Sequence, residues 1–169
     1  MSRRYGAWVG LWLGAMACVP EPLCDDEAVL QLELGQGRDP FARFGPNVEP
    51  QVEHGLQGGV HLVLSTRLRM VSPPPEPPDV AFPLRLNLGA LVEGSACPEG
   101  CRIGDVTYEL EPEYAVDADD EGYLFGGLFL LLKEWPVAQT RVVEAHATDA
   151  CARVAHTSVD VFPGSDHHD

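Results

Sequence analysis

Lysine is almost missing from this chain: of 11 basic residues in 169, ten are arginine and one is Lys133. Positive charge is scarce altogether, because 26 Asp and Glu leave a formal net charge of −15. Such a field repels nucleic acid and anionic headgroups, which excludes nucleic-acid binding. Long hydrophobic runs are missing too. The apolar stretch from Ala7 to Ala17 has 11 residues, whereas a membrane-spanning helix takes roughly 20. Local catalytic motifs are also lacking: there is no Gly-x-Ser-x-Gly elbow, no His-Glu-x-x-His, no phosphate-cradling glycine loop and no dinucleotide fingerprint. Gln57-Gly58-Gly59-Val60-His61 reads as a turn entering a strand. These absences point away from an enzyme.

The N-terminus has the parts of an export signal. Arg3 and Arg4 precede the apolar stretch, no acidic residue occurs before Glu21, and Ala15-Met16-Ala17 has small residues where signal peptidase cuts. With the next residue, Ala15-Met16-Ala17-Cys18 resembles the lipobox of bacterial lipoproteins, although that family usually has Leu at the place of Ala15. The resemblance implies cleavage before Cys18 and a lipid on its sulfur, anchoring the protein in a bacterial cell envelope. Cysteine parity agrees. Cys18, Cys24, Cys97, Cys101 and Cys151 are five, and removing Cys18 leaves four that can close two disulfides in an oxidising compartment. The organisation expected is a signal over 1–17, an anchor and tether over 18–27, one domain over 28–163 and a tail over 164–169. Cleavage leaves 152 residues with net charge −17.

The mature part reads as all-β. Val60, Leu62, Leu64, Leu68 and Met70 alternate with His61, Ser65, Arg67 and Arg69; Phe82, Leu84, Leu86 and Leu88 alternate with Pro83, Arg85 and Asn87. Val106, Tyr108 and Leu110, and again Leu30, Leu32 and Leu34, repeat the pattern. A two-residue period with one buried and one wet face belongs to antiparallel sheets. Pro83 suggests an edge or a bulge. The segments 35–50, 72–79, 93–102 and 111–122 read as loops, with the proline run Pro73 to Pro78 as a stiff connection.

The segment Thr140 to Phe162 resembles the last hairpin of immunoglobulin-like domains, particularly PKD-like ones, in which a strand ends in Thr-Asp and the final strand closes on alternating Val. That family usually has Gly where Ala152 stands. The resemblance implies an antiparallel β-sandwich of about seven to nine strands. With Val143, Ala145 and Ala147 facing the core opposite Ala155, Thr157, Val159 and Val161, the pairs become Ala145 with Thr157 and His146 with His156. The implied topology places Cys24 beside Cys151, leaving Cys97 for Cys101. The long-range bridge would stabilise by about 4 kcal/mol through loop-closure entropy.

Three patterns invite metals. His146 and His156, with Glu144 and Asp160 on the same outward face, offer a donor set for zinc or copper, with His61 expected in the other sheet. Asp117, Asp119 and Glu121, followed by Gly122, follow the start of an EF-hand loop, but Leu128 stands where its bidentate Glu belongs; a simpler calcium loop or a solvated acidic turn remains. Cys97-Pro98-Glu99-Gly100-Cys101 matches the start of a cupredoxin-like copper motif without its His and Met, so a small disulfide loop is expected instead. The reading is a non-enzymatic envelope lipoprotein acting as a structural or interaction module, with an envelope metal-binding protein as the alternative.

Overall fold

The computed structural model describes residues 24, 27–45, 50–54, 59–71, 80–94, 97–119, 122–132 and 141–161. The signal, Cys18, the tether, the proline run and the tail lie outside them. The described chain is a β-sandwich built from antiparallel strands. In chain order these are β1 (Val29–Gln36), β2 (Ala42–Arg43), β3 (Gln51–His54), β4 (Val60–Val71), β5 (Leu84–Gly94), β6 (Cys97–Leu110), β7 (Asp117–Asp119), β8 (Gly122–Leu132), β9 (Arg141–Thr148) and β10 (Val154–Val161). Seven have eight residues or more, and β2, β3 and β7 are short.

One sheet runs β2-β1-β4-β8-β7 with β3 also on β4; the other runs β10-β9-β5-β6. Counting the seven long strands, the first, second and fifth share a sheet and the third, fourth, sixth and seventh share its partner. That is the strand distribution of an immunoglobulin-like sandwich in which the strand after C joins the C-F-G sheet. The inward residues of each alternating segment meet between the sheets. Leu62, Leu64 and Leu68 of β4, Leu84, Leu86 and Leu88 of β5, and Ala145 and Ala147 of β9 are almost fully buried. The small side chains on β9 let β5 and β9 pack close under the leucines opposite, so enlarging them would overfill the core.

The open edge of β8 is managed by one side chain. The Tyr108 hydroxyl, reaching across from β6, donates to the Phe129 carbonyl at 2.7 Å and accepts from the Phe129 N–H at 2.9 Å. Backbone groups that would otherwise template another strand are thereby satisfied.

Several expectations are corrected. Strand β8 lay in a segment with no alternating signal. The reason is a bulge: Leu64 pairs with Leu128 but Ser65 with Gly126, and Gly127 stands out of register in the left-handed region at φ 72°. The inward face therefore switches from Tyr123 and Phe125 to Leu128, Leu130 and Leu132, breaking the two-residue period. The expected loop over 93–102 is instead the end of β5 and the start of β6, and 111–122 contains β7. Pro83 marks no edge: it precedes β5, which lies between β9 and β6 and so is central in its sheet.

Candidate functional site

The β9–β10 hairpin carries the residues singled out in the sequence, and its turn sets their register. Asp149 is buried there. Its Oδ1 accepts from the N–H groups of Cys151 at 2.9 Å and Arg153 at 3.0 Å, and Oδ2 accepts from Arg153 Nε at 2.7 Å. The Asp149 N–H donates to the Arg153 carbonyl, and the Ala150 N–H donates to Ala81 at 3.1 Å, tying the turn to the approach to β5. Ala152 occupies the left-handed region at φ 60°, where the resembling domains have glycine. Cys151 is bonded to Cys24 with Cα atoms 5.6 Å apart, so the segment ahead of β1 is held to this turn. Cys101 is also disulfide-bonded; it therefore offers no thiolate to copper, and the side chain of its expected partner, Cys97, lies outside the described residues.

From that turn the pairing runs as expected: Ala155 with Ala147, His156 with His146, Thr157 with Ala145 and Ser158 with Glu144. Ala145 and Ala147 point into the core, so His146 and Glu144 point out. The two imidazoles lie face to face with ring centroids 4.3 Å apart and planes inclined at 30°. Glu144 joins them: one ligand atom from each of Glu144, His146 and His156 falls within 4.8 Å of the other two.

Asp160 is not brought into this group. It pairs with Val142, two pairs beyond the Ser158–Glu144 rung. His61 sits on β4 in the other sheet, edge-on to Phe129 at 6.0 Å between centroids. The backbone of Asp117–Asp119 forms β7, while the carboxylate side chains of the proposed calcium loop lie outside the described residues.

Two neighbours of the site were not picked out from sequence. Arg102 of β6 forms an ion pair with Glu144 Oε1 across β5. It can do so because Gly89 lies between them: a Cβ there would collide with the Arg102 guanidinium and stand 2.9 Å from Glu144 Oε1. Beside His146 in the ladder is Asn87, whose Oδ1 accepts from Thr107 Oγ1 at 2.7 Å. A Gly inside an otherwise alternating strand was the available signal for Gly89. Arg102 carried none, since its partner depends on sheet order.

Burial holds the Arg141 guanidinium below its ordinary pKa, at the far end of the hairpin from the turn. A guanidinium remains charged in proteins, so this residue is a structural cation. The chain matches no protein-family model and no curated protein, which leaves fold and site to carry the functional argument.

Proposed function

We propose that this protein is an exported bacterial lipoprotein, held at an envelope membrane by lipid on Cys18, whose sandwich domain serves as a non-enzymatic structural or interaction module. The observation that carries the reading is the Cys24–Cys151 disulfide. A bond joining residues 127 apart belongs to a chain that folds in an oxidising compartment. Cys101 is disulfide-bonded as well, and pairing it with Cys97 leaves Cys18 as the odd cysteine, next to the lipobox-like Ala15-Met16-Ala17. The arginine pair and the short apolar stretch supply the export signal. A sandwich on a short Pro20-Glu21-Pro22 tether presents its faces close to the membrane, and an acidic surface keeps it from collapsing onto anionic lipid.

Fractionation of a bacterium producing the full chain and its Cys18→Ser variant tests this. The wild type is expected in the membrane fraction, and the variant, which cannot be acylated, in the soluble envelope fraction. Equal partitioning of the two would refute lipid anchoring. A chain retained in the cytoplasm with its N-terminus intact would refute export.

A further inference from the structure

We infer that His146, His156 and Glu144 form a binding site for a borderline divalent metal ion, zinc or copper, on the outward face of the β10-β9-β5-β6 sheet. Two imidazoles and one carboxylate are the donors such ions prefer, whereas calcium and magnesium seek oxygen alone. The three donor atoms already lie within 4.8 Å of one another. In a tetrahedral zinc site, donors at bond lengths near 2.1 Å stand about 3.4 Å apart. Closing the gap takes side-chain rotation only. His146 and His156 are exposed and free to turn from their stacked arrangement, and their backbones are fixed opposite each other in the ladder. Three protein ligands leave a tetrahedral position open to solvent, as in exchangeable rather than closed structural sites. The overall charge of −15 raises the local concentration of cations.

Arg102 sets the strength of the site. It occupies Oε1 of Glu144, and a carboxylate has a second oxygen to give, so the ion pair need not break for metal to bind. The guanidinium both steadies the carboxylate and repels the ion. Steadying through a surface pair is worth roughly a factor of two in affinity, whereas a unit charge beside a divalent ion costs roughly a factor of five after salt screening. Repulsion wins, and Arg102 acts as a restraint on affinity.

Calorimetric titration of the purified full chain, disulfides intact, with zinc chloride and separately with copper(II) sulfate tests the inference. To exclude the terminal pair, the background carries His167→Ala and His168→Ala. One site per molecule is expected. His146→Ala and His156→Ala should each weaken it at least tenfold, Glu144→Gln should weaken it less, and Arg102→Gln, losing the fivefold repulsion together with the twofold steadying, should tighten it about two- to threefold. Asp160→Asn and His61→Ala should leave it unchanged. Circular dichroism checks that each variant keeps its β signature, and imidazole proton shifts on titration report the ligands directly in the parent protein. Absence of binding, or affinity indifferent to both His146→Ala and His156→Ala, would overturn the site; it would leave the lipid anchor, tested on Cys18, unaffected.

Discussion

The two ends of a single feature, the turn of the β9–β10 hairpin and its outward face, are held in opposite ways. At the turn the register-setting groups are tied down: Asp149 is buried under two backbone N–H donors and Arg153, and Cys151 is bonded to Cys24. On the face, His146 and His156 stand in solvent stacked on each other, and Glu144 shares one oxygen with Arg102. The difference separates what builds the protein from what is available to a ligand. Groups fixed by many partners define the register, and the register delivers the loosely held groups to one place.

That contrast predicts how substitutions divide. The largest loss is expected from Cys24→Ser with Cys151→Ser, about 4 kcal/mol by loop-closure entropy, read from denaturant unfolding under non-reducing conditions. Asp149→Ala should cost about 2–4 kcal/mol in the same assay, because it strands buried N–H groups and the Arg153 guanidinium together. A change in the opposite direction is expected at Ala152. The left-handed conformation penalises a Cβ by roughly 1–2 kcal/mol, and glycine returns roughly half of that through its greater unfolded-chain entropy. Ala152→Gly should therefore stabilise by about 0.5–1 kcal/mol, seen as a higher melting temperature. On the face, His146→Ala and His156→Ala should shift stability by no more than about 0.5 kcal/mol, as for exposed positions generally. A face variant as damaging as Asp149→Ala would erase the distinction between the two ends.

The same hairpin shows how much was legible in sequence. Its alternation of Val143, Ala145 and Ala147 with polar neighbours fixed the inward face, and parity then fixed the pairing of His146 with His156, which the structure has. The Cys24–Cys151 bridge followed from the resemblance of this segment to immunoglobulin-like domains, and it too is present. Strand β8 was not legible. Its bulge at Gly127 inverts the inward parity halfway along, and Phe129 and Leu131 are apolar although exposed, so no single period runs through it. The donor set was half legible. Glu144 and the two histidines are neighbours along one hairpin, but Asp160, on the same face, is too far along β10 to join them. Arg102 was hidden because its approach to Glu144 crosses β5 through the space above Gly89, a contact that exists only once β6, β5 and β9 lie side by side.

Under the proposed lipid anchoring the five cysteines divide their labour: Cys24, Cys151, Cys97 and Cys101 would hold the fold, and Cys18 the membrane. Mass spectrometry of the membrane-extracted protein, digested without reduction after thiol alkylation, tests it most directly. The expected result is Cys24 linked to Cys151, Cys97 linked to Cys101, no alkylated thiol, and an N-terminal peptide that begins at Cys18 carrying a diacylglycerol. A linkage of Cys24 to Cys97 or Cys101, or an alkylated Cys18 on an unmodified mature chain, would contradict it.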